Sequence, residues 1–168
     1  MKKYLLIGCS ILFFGCNDGD LQIETVDFDS IDTIETCDTV STTTENVMFK
    51  INGDEALILT LANGILKNEV STSSIESAVP ESSQVSYRIF SETVTNSYFC
   101  DSPPPLTPTV LEEIEAEGGS IMVTTTTEDN ITFNHYIQLS GVTFLNENGS
   151  RITDLQINDF GTVSTTVE

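Results

Sequence analysis

ITFNHYIQLSGVTFL, residues 131–145, alternates. Ile131, Phe133, His135, Ile137 and Leu139 fall on one side of an extended chain, and Thr132, Asn134, Tyr136, Gln138 and Ser140 fall on the other. A period of two held over ten residues marks a strand with one buried face. Gly141 then shifts the phase, as a bulge or bend does, and residues 142–145 continue the strand. Working outward, residues 121–127 form a Thr-rich strand that turns near Asp129-Asn130. On the other side, Asn148-Gly149 is a hairpin signal that leads into strands over 151–157 and 160–167.

The same texture extends upstream. Residues 46–51 run into the turn Asn52-Gly53-Asp54, and the continuously apolar residues 56–61 fit a strand buried on both faces, with a short buried helix as the alternative. Residues 84–92 alternate, with Val85, Tyr87 and Ile89 on one side, and 94–100 reads as a further strand. Ser102-Pro103-Pro104-Pro105 interrupts the pattern, because proline supplies no ladder donor. Thr107-Pro108 then has the form of a helix start, Val110, Leu111 and Ile114 make a helical stripe, and Gly118-Gly119 ends it. This predicts one short helix over about 108–117, with Glu112, Glu113, Glu115 and Glu117 on its solvated face. Seven to nine short strands separated by turn signals predict a mainly β domain over residues 45–168, an antiparallel β-sandwich or barrel.

Charge removes whole classes of function. The 168 residues hold 26 acids and 6 bases, for a net charge of −20. Nucleic-acid binding needs clustered Lys and Arg, which this chain lacks. Anionic membranes would repel it, so attachment to a membrane requires a covalent anchor. The plainest reading of the acidity is solubility.

The first residues offer such an anchor. Lys2 and Lys3 precede an apolar run over 4–14, too short to span a bilayer and of the right length for secretion. Gly15 and Cys16 follow. Residues 1–15 resemble a bacterial lipoprotein signal, and the resemblance implies cleavage before Cys16 and acylation of that cysteine. The pattern departs from the common one in placing Phe13 and Phe14 where an aliphatic and a small residue usually stand. Leu6-Ile7-Gly8-Cys9 is a closer local match, but the apolar run before it is too short. Loss of Lys2 and Lys3 with the signal leaves four bases against 26 acids, a net charge of −22. Asn17-Asp18-Gly19-Asp20 resembles the acidic export signal of surface lipoproteins in the Bacteroidota, flavobacteria especially. The sorting class implies an outer-membrane, lipid-anchored protein at the cell surface, with the periplasmic face as the alternative.

Residues 17–44 hold eight acids, no base and only isolated large apolar residues. That composition predicts an acidic, flexible tether over 16–44. Asp29-Ser30-Ile31, Asp32-Thr33-Ile34 and Asp38-Thr39-Val40 repeat one pattern, which looks like the O-glycosylation sequon of exported proteins in the same phylum. Ser30, Thr33 and Thr39 are the candidate acceptors. With Cys9 lost in the signal and Cys16 lipidated, Cys37 and Cys100 remain. One disulfide between the end of the tether and the domain is the simplest account; two free thiols or pairing between chains are the alternatives.

No catalytic constellation stands out. His135, the single histidine, shares parity with apolar neighbours and reads as a buried, satisfied core residue. Acidic loops at 27–32 and 154–159 offer oxygen ligands without the spacing of a calcium loop, so no metal and no cofactor are expected. Carbohydrate platforms usually use Trp, which is absent. Of Tyr87, Tyr98 and Tyr136, Tyr136 lies on the polar face of its strand and is the candidate ligand contact. The expected role is a non-enzymatic surface module, structural or binding a protein or glycan. The alternatives are a small hydrolase using His135, or an inhibitor or immunity-type lipoprotein that binds a protein partner.

Overall fold

The computed structural model describes residues 26–145, 151–152, 155–156 and 158–167. In chain order these form β1 (Val26–Asp27), β2 (Glu35–Thr36), β3 (Asn46–Asn52), β4 (Glu55–Leu61), β5 (Ile75–Ala78), β6 (Gln84–Phe90), α1 (Asn96–Cys100), β7 (Val110–Thr127), β8 (Thr132–Leu145), β9 (Arg151–Ile152), β10 (Leu155–Gln156) and β11 (Asp159–Thr166). Nine strands make one sheet in the order β11-β8-β7-β6-β4-β3-β2, with β5 beside β7 and β9 beside β8. Its pairings are antiparallel; only the short β1–β10 pair is parallel. The described residues are thus mainly antiparallel β with one short helix, in keeping with a sandwich or barrel.

β7 joins two layers of this sheet. Residues 110–115 pair with β6, and residues 116–127 pair with β8. β5 takes the edge that β6 leaves free, along residues 120–123. The register slips on both sides of Gly118. Gly119, at φ +114°, lies so close to β8 that a Cβ there would stand 2.6 Å from the Val142 Cα. Only glycine fits both this backbone and this space. Gly141, at φ +62°, is the bulge on the facing strand. It moves core parity from Leu139 to Val142 and Phe144, the phase change read in the sequence.

The curl closes one main core. Leu57, Leu59, Val85 and Tyr87 from one layer meet Ile121, Val123, Ile137 and Phe144 from the other. A second cluster lies on the opposite face of β3, β4 and β6 and contains Phe49, Ala56, Ile58 and Phe90. β4 therefore serves both cores, odd residues to one and even residues to the other, which is why 56–61 is apolar without a break.

Three sequence expectations are corrected. Residues 110–117 are strand, not helix. A helix would stack Glu113 over Glu117, a like-charge pair at i,i+4. The strand instead buries Ile114 and Ala116 and turns Glu113, Glu115 and Glu117 outward, with Arg88 of β6 paired to Glu113. The short helix is α1, in the stretch read as a strand over 94–100. Its Tyr98 and Phe99 cap the second core: the Phe99 ring lies 4.2 Å from Phe49 and the Tyr98 ring 4.8 Å from Phe90. The third correction concerns the tether. Its described part, residues 26–44, is strapped onto the domain: Phe28 is wholly buried, β2 pairs with β3, and Ile31, Ile34 and Val40 pack on the main core. Isolated apolar residues too sparse to fold alone suffice when a sheet is there to receive them. Residues 1–25, with the signal, Cys9 and Cys16, lie outside the described residues, as do the 147–150 hairpin and Asp154.

Candidate functional site

Among the described residues two basic side chains, Lys50 and His135, form buried polar centres, and Lys50 is not among the candidates that the sequence pattern singles out. Lys50 sits on β3 with the parity of Met48, facing the main core, and is 2% exposed. Its Nζ donates to the carbonyls of Phe28 and Asp159, each at 2.9 Å, and lies 5.7 Å from the centroid of the Phe160 ring. Burial lowers its pKa, while the charges of Asp159, Asp29, Asp32 and Asp27 act in the opposite direction. Two further bonds complete the knot. Asn52 Nδ2 donates to the Asp27 carbonyl at 3.3 Å, and the Asp159 N–H donates to Asp29 Oδ1 at 2.9 Å. A buried ammonium thus fastens the N-terminal strap to β3 and β11. A lone lysine at a core parity, within Asn-Val-Met-Phe-Lys-Ile, was the available signal. Among the described residues no three His, Cys, Asp or Glu side chains converge to hold a metal, and the charges of Asp27, Asp29 and Asp32 act on this ammonium.

His135 is the second centre. It is fully buried, with Nδ1 2.9 Å from Thr125 Oγ1 and Nε2 2.7 Å from Thr165 Oγ1. Thr165 in turn donates to Asn68 Oδ1. A carboxamide oxygen only accepts, so the Thr165 proton points to Asn68 and His135 Nε2 must donate. Nδ1 then accepts from Thr125, and the ring is the neutral Nε2–H tautomer. Burial lowers the imidazole pKa and keeps it neutral. The network ties β7, β8 and β11 to the loop after β4. Ser71 reinforces it, its Oγ accepting from the Thr125 N–H at 2.9 Å. The partners are two threonines and no carboxylate, so the structure contains the satisfied core histidine that parity predicts.

The surface candidates are distributed around the strap. Tyr136 is half-buried rather than an open platform. Partial burial raises its pKa, with the Asp159 charge and a hydrogen bond to that residue acting the same way. Cys37 and Cys100 form a disulfide, with their Cα atoms 5.1 Å apart. Ser30, Thr33 and Thr39 are all exposed. A shallow recess of about 240 Å³ opens beside the disulfide, between Thr36, Asp38, Thr39 and Glu45, Asn46. The Asn46 amide is committed to the backbone of Ser41 and Thr44 and does not project into it as a ligand. No protein-family model, no curated protein and no solved structure matches the chain.

Proposed function

We propose that the chain is a lipoprotein anchored through an acylated Cys16 in the outer membrane, its β domain presented at the cell surface as a non-enzymatic structural or binding module for a protein or a glycan. The charged start, apolar run and Gly15-Cys16 junction support the anchor. The structural observation that supports it most directly is the Cys37–Cys100 disulfide, a bond that persists in oxidising compartments and rarely in the cytosol. The exposure of Ser30, Thr33 and Thr39 makes all three hydroxyls reachable for glycan addition. The domain's only histidine is committed to holding strands together, which supports a module over a hydrolase.

The strap changes the picture of the anchor. Between Cys16 and Val26 lie nine residues, so the domain stands within roughly 36 Å of the acylated residue even at full extension. Intact mass of the protein extracted from its native membrane, before and after reduction, tests the reading. The expected result is an acylated chain that starts at Cys16 and gains two hydrogens on reduction, with hexose-type increments if the hydroxyls carry glycans. An unmodified chain starting at Met1 overturns it.

A further inference from the structure

We infer that the proline-rich loop between α1 and β7 is a rigid docking tip whose partner is a protein surface with an apolar cleft and a basic rim; the inference rests on the reading of the domain as a binding module. Residues 101–107 are all exposed, and Leu106 is 94% exposed. Leu111 (68%) and Val110 (37%) stand close behind it at the start of β7. One exposed leucine is ordinary, whereas three exposed large apolar residues within six positions are a local concentration.

The tip is held at both ends. Cys100 is bonded to Cys37 on the strap. At the other end Thr109 and Ser91 bond each other twice, Thr109 N–H to Ser91 Oγ at 3.0 Å and Ser91 N–H to the Thr109 carbonyl at 2.9 Å. Pro103, Pro104, Pro105 and Pro108 restrict what lies between. A loop ordered in advance loses little freedom on binding. The same prolines remove four N–H donors, so a partner cannot extend the loop as a strand and must read its side chains.

Charge identifies the partner. Glu92, Asp101, Glu112 and Glu113 flank the apolar residues and are exposed. The only cation between residues 84 and 117 is Arg88, already paired with Glu113. A second copy brings another 20 net negative charges, and an anionic lipid surface meets the same repulsion. A cleft lined by apolar residues and rimmed with Lys and Arg matches both the tip and its border.

The test uses the full chain in its native cells, with a benzoyl-phenylalanine photo-crosslinker in place of Leu106 and, separately, of Ile131, which is 55% exposed just beyond the far end of β7. Both positions are open enough to leave the fold intact, checked by an unchanged melting temperature. The expected result is an adduct with one protein from position 106, about tenfold stronger than from 131 and weakened about tenfold by Glu92→Lys with Glu112→Lys. The crosslinked peptide should be apolar and flanked by Lys or Arg. Adducts with lipid or with a second copy, or an adduct insensitive to the charge reversal, overturn the inference. An adduct from 131 alone removes the tip and leaves a binding module. No adduct from either position in a membrane-bound chain removes the tip and the binding role and leaves the anchor; recovery of the chain in the soluble fraction removes the anchor.

Discussion

Phe28→Ala separates a strap from a free arm. In an arm the ring is solvated in both folded and unfolded chains, and its loss costs nothing. Here the side chain is wholly buried and meets Tyr87 edge-on with ring centroids 6.3 Å apart. Deleting a buried phenylalanine ring costs about 3–5 kcal/mol, of which the aromatic contact supplies about 0.5–1.5. Against a total stability of about 5–15 kcal/mol, that is a large fraction. In a domain of this size it corresponds to a fall of roughly 10 °C in melting temperature. Urea unfolding, followed by circular dichroism, reads it directly. Two forms of loss are informative. If strap and sheet unfold together, the midpoint falls and the slope is unchanged; if the strap leaves first, a separate early transition appears. A loss below about 1 kcal/mol with a single unchanged transition would refute the packing of residues 26–44. Lys50→Met adds a cross-check. It removes both ammonium bonds to the Phe28 and Asp159 carbonyls while keeping volume, and its effect should be smaller in the Phe28→Ala background than alone.

Other expectations follow from single sites. Gly119→Ala forces a Cβ against the Val142 backbone at a left-handed φ and should cost about 3 kcal/mol or more, whereas Gly141→Ala, equally left-handed but open, should cost about 1–2; denaturation midpoints rank them. Replacing both Cys37 and Cys100 by serine opens a loop of 63 residues and should cost about 4 kcal/mol by the loop-closure relation, read against the oxidised parent. His135 binds its proton more weakly folded than unfolded, so its contribution is intact above the ordinary value of 6.5 and is lost as the pH falls below it. By pH 5.5 the loss is capped at about 1.4 kcal/mol, and the difference in unfolding free energy between the parent and His135→Gln should shrink from pH 7.5 to 5.5 by no more than that.

The sequence is most legible where one rule acts alone. In 131–145 the alternation and the glycine phase shift both survive in β8, and the unbroken apolar run at 56–61 is explained by cores on both faces of β4. It misleads where two periods overlap. Val110, Leu111 and Ile114 fit a helix, and Ile114 and Ala116 fit a strand; the free edge of β6 decides between them, and that edge is built by residues 84–90. The α1 segment has strand-forming aromatics, yet the second core needs a lid there, and Tyr98 and Phe99 supply it. Composition misled in the strap, because Phe28, Ile31 and Ile34 are diluted among acids. Of the candidate residues, the disulfide pair could be named by counting cysteines. Lys50 could not, because its role depends on carbonyls 22 and 109 residues away in sequence.

The Cys37–Cys100 bond also sets a mechanical limit. Tension applied to the chain ahead of Val26 acts first on the strap, whose residues run back along β3 from Asn52 towards Met48. Peeling can release residues 26–36 and no more, because the next residue is covalently held to the far side of the second core. Eleven freed residues give roughly 36–40 Å of travel. Beyond that the load passes through sulfur into α1 and the β3–β4–β6 layer, bypassing the Lys50 knot. The domain on such a leash has a fixed slack, and a reductant is what would lengthen it.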